Sequence, residues 1–184
     1  MSKPEMNVAL VCGPNSDMDT QAIRAAFEYF GARVFTYWIG RPSDFNAVLS
    51  GEDLYPGMDL IILNFHGDEG QFCMPELGED VYEEDEPRGD YGPEEIRRYA
   101  KLDHHIVISN GCSLGEPSLA QAFLDAGCKM YIGPDDYPEG TSALMFVLRL
   151  GYEMIQNKKS VREAAEAARA MDEENLSMYR LYTA

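Results

Sequence analysis

The apolar positions of this chain fall into short aliphatic runs separated by stretches with helical spacing. Residues 7–12 (Asn-Val-Ala-Leu-Val-Cys), 60–65 (Leu-Ile-Ile-Leu-Asn-Phe) and 106–110 (Ile-Val-Ile-Ser-Asn) are continuous enough to be strands buried on both faces. Residues 32–38 alternate sufficiently for another strand, and 129–133 form a short one before Pro134-Asp135-Asp136-Tyr137-Pro138. Between them, Asp19-Thr20 can cap a helix reaching Phe30, with Ile23, Phe27 and Phe30 on one face and Gly31 as its stop. Pro42, Pro93 and Pro117 each suit the first turn of a further helix, over 42–49, 93–102 and 117–126. Residues 141–155 are apolar on nearly every side and predict a core helix. Ser160-Val161-Arg162-Glu163 is a capping box opening an alanine-rich last helix, and the tail at 179–182 carries no assignment. Strands alternating with helices predict a three-layer α/β/α sandwich around a mostly parallel sheet of about six strands.

Residues 68–92 break that rhythm. They are rich in glycine and acid, and so long a connection in a compact domain is usually functional or mobile. The expectation is one domain over 1–184, with an acidic loop inserted at about 68–92. Of 32 acidic residues, ten lie between Glu76 and Glu95, and the net charge is −17. That charge argues against nucleic acid, whose phosphates demand a basic face, and favours basic partners or cationic substrates. No apolar run is long enough to span a membrane, and the first residues show neither a signal segment nor a lipidation motif. Four cysteines (12, 73, 112 and 128) without a close-spaced pair fit free thiols, so the expected compartment is cytoplasmic.

The candidate chemistry lies at two strand ends. Cys112 follows the 106–110 strand and precedes the Pro117 helix, whose N-terminal N–H groups favour a thiolate. His66-Gly67 follows the 60–65 strand. In a parallel sheet with these strands adjacent, both side chains enter one crevice, as a nucleophile and its base. The backbone N–H groups of Gly67 and Cys112 are the candidate oxyanion donors, because glycine allows close approach. His104 and His105 begin a strand and belong to the opposite edge of the sheet.

Other readings of the same residues are weaker. Cys12, His66, Cys112 and Cys128 lack the paired spacing of a zinc site, and residues 79–86 lack an ordered calcium loop and read as a solvated acidic face. Gly13-Pro14-Asn15-Ser16-Asp17 opens a helix after a strand but matches no phosphate-binding pattern. A glutamine-amidotransferase elbow fails because no histidine lies beyond His105. No metal and no cofactor is expected.

Phe65-His66-Gly67-Asp68, Ile108-Ser109-Asn110-Gly111-Cys112-Ser113 and the helix ending Ala126-Gly127-Cys128 resemble the caspase-like (clan CD) cysteine peptidases, nearest the bacterial CHAT and gingipain-like branches. The spacing from His66 to Cys112 is close to the roughly 50 residues of caspases. The resemblance implies peptide-bond hydrolysis through an acyl-enzyme, with His66 as base and acid and Cys112 as nucleophile. It departs from true caspases in lacking Gln-Ala before the cysteine and Gly two residues after it. The alternative is a caspase-like binding or scaffold module without activity. The expected partner is a peptide or protein substrate, with basic side chains favoured. A cation entering the specificity pocket needs a carboxylate, and the candidates are Asp17, Asp135 and Asp136. The oligomeric state is not legible in the sequence.

Overall fold

A computed structural model describes residues 5–184, so residues 1–4, the start of the stretch expected to carry no signal segment, lie outside the described residues. In chain order the elements are β1 (Asn7–Cys12), α1 (Asp17–Phe30), β2 (Arg33–Trp38), α2 (Pro42–Leu49) and β3 (Leu60–Asn64). There follow β4 (Gly67–Asp68), β5 (Gln71–Phe72), α3 (Pro93–Tyr99), β6 (Ile106–Asn110) and α4 (Pro117–Asp125). The last are β7 (Met130–Pro134), α5 (Gly140–Ile155), α6 (Val161–Arg169) and β8 (Tyr179–Thr183). The main sheet runs β2-β1-β3-β6-β7-β8, with every pairing parallel except the antiparallel β7–β8. This is the expected sandwich, and the unassigned tail supplies its sixth strand.

Alternation along the strands feeds two cores. Val8, Leu10, Leu60, Ile62 and Ile108 point to the side covered by α1, α5 and α6, against Ile23, Phe27, Phe146 and Leu150. Ala9, Val11, Ile61, Leu63 and Val107 point to the side of α2, α3 and α4, against Phe45, Ile96, Leu119 and Phe123. A strand buried on both faces has no polar side to expose, which is why these segments read as continuous apolar runs.

Three local expectations change. The first helix begins at Asp17, two residues early, because the Ser16 carbonyl already accepts from the Thr20 N–H at 3.1 Å. Thr20 is therefore inside α1, not its cap. The 68–92 segment opens as a hairpin, with β4 and β5 joined by Glu69 and Gly70 at φ of 46° and 73°, the left-handed pair that a two-residue turn requires. The acid run is not uniformly solvated either. The Glu86 side chain is only 1% exposed and bonds Arg41 at 2.6 and 3.0 Å and the Ser43 and Glu83 N–H groups at 2.9 and 3.0 Å. These partners hold its carboxyl far below the usual carboxylate range, Arg41 foremost. A few residues on, Tyr91 is buried with its hydroxyl donating to Asn46 at 2.8 Å, so the loop is pinned to α2 at two places.

Candidate active site at the carboxyl ends of the parallel strands

β3 and β6 are neighbours, with Asn64 opposite Asn110 at their last rung. Continuing the series Leu60, Ile62, Asn64 brings His66 to the α1/α5 side of the sheet, and Ile106, Ile108, Asn110 brings Cys112 to the same side. Both line one cleft of about 200 Å³, together with Ser16, Asp19, Asn64, Asn110 and Pro138. Its remaining wall is the start of α5, where Gly140 and Ala143 present little bulk.

Glycines let the loops close on one another. A β-carbon at Gly111 would overlap the carbonyl oxygen of Phe65, and one at Gly67 would overlap that of Cys112. The segments bearing the two side chains are therefore in backbone contact. Ser113, directly after Cys112, holds a left-handed φ of 56° that a serine adopts only when its surroundings impose it. They do so here. Its N–H donates to the Asp136 carbonyl at 2.8 Å, and its hydroxyl accepts from the Gly70 N–H at 2.9 Å. Tyr137 closes the ring, its hydroxyl donating to Asp68 at 2.7 Å and accepting from the Glu69 N–H at 3.2 Å. Three loops from distant parts of the chain are thus tied around Cys112.

The exposed His66 ring approaches the Asn15 carbonyl through Nε2 at 3.4 Å. A carbonyl only accepts, so that contact requires the proton on Nε2 and leaves Nδ1 as the basic nitrogen. The expectation for the thiol is reversed. Burial pushes the Cys112 thiol above its ordinary value, and the negative charges of Asp68 and Asp136 raise it further. α4 itself starts only at Pro117, five residues after Cys112.

The backbone donors are placed as follows. Phe72, opposite Gly67 in the hairpin, donates its N–H to the Tyr91 carbonyl at 2.8 Å and accepts the Tyr91 N–H at 3.0 Å. The Cys112 N–H bonds no other backbone group among the described residues, and it lies against the residue's own sulfur.

The three aspartates separate. Asp135 turns away to Arg180, 2.7 Å from its guanidinium, and its N–H donates to the Met178 carbonyl. Asp17 is exposed on the first turn of α1 and is not part of the cleft wall, which Asp19 joins instead. Asp136 does not line the cleft either, but its carbonyl holds the Ser113 N–H and its charge acts to raise the Cys112 thiol. Cys128 is buried with its thiol donating to the Met130 carbonyl and pushed up to about 11 by desolvation. No three His, Cys, Asp or Glu side chains gather as a cation cage among the described residues, and none of their helices is long and apolar enough to cross a membrane. The amides of Asn64 and Asn110 on the cleft floor carry a signal the chemical motifs alone do not use, the repeated Asn-x-His and Asn-x-Cys at the strand ends.

No family model and no curated protein matches the sequence. Solved structures match over almost all of it. The Arg-specific cysteine proteinase gingipain R superposes with a TM-score of 0.65 at 10% identity, over 98% of this chain and 46% of that one. A complex of the pro- and mature domains of RgpB from Porphyromonas gingivalis gives 0.62 at 11%, over 98% and 47%. Separase in the separase–securin complex of Saccharomyces cerevisiae gives 0.62 at 12%, over 98% and 12%. The chain therefore spans less than half of each of these relatives, and at such identities the likeness is one of fold. That fold is the caspase-like fold of cysteine peptidases.

Proposed function

We propose that the protein is a cysteine peptidase in which Cys112 is the nucleophile and His66 its general base and acid. The observation that carries this reading is that the two side chains, from adjacent parallel strands, line one cleft. His66 takes the Cys112 proton, and the sulfur attacks the peptide carbonyl carbon. The carbonyl electron pair moves to oxygen, where the Gly67 and Cys112 N–H groups receive it. Collapse expels the amine, which takes the proton from His66 and leaves a thioester. Water then attacks, giving its proton to His66, and the second collapse releases the acid and restores the thiol. Burial and two carboxylates raise the thiol, so the attack needs His66 as its base.

The substrate residue before the scissile bond is basic in this reading. Asp19 on the cleft wall and Asp136, whose charge acts on the Cys112 thiol, supply its counter-charge in preference to the exposed Asp17 and to Asp135, which pairs with Arg180. Surroundings that oppose the thiolate also suit the second reading, a binding module that keeps the fold without turnover. Fluorogenic peptides decide between them. Turnover by the wild type, lost in both Cys112→Ala and His66→Ala, supports the peptidase; no turnover of any peptide supports the binding module.

A further inference from the structure

We infer that the hydroxyl of Tyr179 is a positioning group for Cys112 and His66, acting through the buried amides of Asn110 and Asn64; this rests on the peptidase reading. Tyr179 donates to Asn110 Oδ1 at 2.7 Å, and Asn110 donates to Asn64 Oδ1 at 3.0 Å. Asn64 donates in turn to Thr20 Oγ1 at 2.8 Å and to the Ser16 carbonyl at 3.2 Å. All four side chains are buried.

The direction of every bond follows from one end. The Ser16 carbonyl can only accept, so the NH2 of Asn64 faces it and the Asn64 oxygen faces Asn110. The NH2 of Asn110 must then face Asn64, which leaves its oxygen for Tyr179 and obliges the phenol to donate. A run of bonds with one permitted polarity holds the two amides in one orientation. Each amide stands two residues before a reacting side chain, on the same rung of adjacent strands. The bridge between them therefore sets how the two strand ends lie relative to each other, where a displacement of about 1 Å costs on the order of 100-fold in rate.

Tyr179 also brings the strand β8 into the site. Tyr182 of the same strand donates to the Gly115 carbonyl at 2.7 Å, and Arg180 pairs with Asp135 at 2.7 Å. The strand thus touches the chain just before Cys112, just after it, and at the neighbouring β7 loop. The packing of Tyr179 resides in its ring, stacked on Phe146 with centroids 3.6 Å apart. Its positioning resides in the oxygen, so Tyr179→Phe separates the two.

The test is Tyr179→Phe, assayed well below its melting temperature with the fluorogenic peptide and by iodoacetamide alkylation of Cys112 across pH. The expected result is a fall of about tenfold in kcat with KM within about twofold, the worth of one hydrogen bond acting on the reacting groups. Alkylation at neutral pH slows with it. Thr20→Val, at the far end of the bonds, gives the same split in kcat and KM. An unchanged kcat in both variants, or a loss carried by KM, overturns the proposal. If the wild type cleaves no peptide, the peptidase reading fails by itself, and alkylation rates equal to wild type at every pH would overturn the positioning role separately.

Discussion

The carbonyl oxygen of Cys112 occupies the place where a β-carbon on Gly67 would stand. Gly67→Ala must push the β4–β5 hairpin off the Cys112 loop, a local overpacking that costs about 1–3 kcal/mol. Thermal unfolding is expected to show that loss, and peptide turnover a larger one, because the candidate oxyanion N–H moves with the hairpin. Wild-type stability in the variant would contradict the contact.

Glu86 is expected to behave as a buried anchor of the acidic loop. Its carboxyl is depressed in the folded state by Arg41 and backbone N–H groups. Its contribution is therefore present above the unfolded value of about 4.3 and is lost as pH falls below it. Hydrogen exchange at the Ser43 and Glu83 amides should accelerate at pH 7 in Glu86→Gln, which weakens the ion pair. Equal exchange in variant and wild type would mean that the loop is held elsewhere.

The reactivity of Cys112 should rise with pH beyond the ordinary thiol value of about 8.5, since burial, Asp68 and Asp136 all oppose the thiolate. Removing one negative charge lowers that barrier. Asp136→Asn, which keeps the oxygen that accepts from the Tyr137 N–H at 2.9 Å, is expected to shift the alkylation midpoint downward. An upward or absent shift would show that Asp136 does not act on the sulfur.

Both the strong and the missing signals in the sequence have physical reasons. The strands carrying His66 and Cys112 were legible because apolar runs ending in polar, Gly-containing turns are local features, and the side-chain period of two then fixes the face. The β4–β5 hairpin was not, because two-residue strands leave no periodicity. β8 was missed because its partner β7 lies far back in the chain, and nothing in Tyr-Arg-Leu-Tyr-Thr alone announces an edge strand. The burial of Glu86 depends on Arg41, 45 residues away, and the raised Cys112 thiol on acids from two other loops. Asp19 and Asp17 differ only in which side of one helical turn they occupy, which depends on where α1 begins.

Specificity follows from that last point. Asp19→Asn is expected to lower kcat/KM for peptides with Arg before the scissile bond by about 30-fold, or about 2 kcal/mol for a charge left without its partner. Peptides with Leu at that position should change far less. An equal loss for both, or a wild type that cleaves after Asp, would contradict the acidic pocket.

The most direct test of the central claim is intact-mass and peptide mapping after reaction with a thiol-reactive peptide probe carrying Arg at the residue that would precede the scissile bond. The account predicts a single adduct on Cys112 at neutral pH, sharply reduced in His66→Ala, with Cys12, Cys73 and Cys128 unlabelled. Labelling spread over Cys73 and Cys112 alike, or undiminished when His66 is replaced, would contradict it.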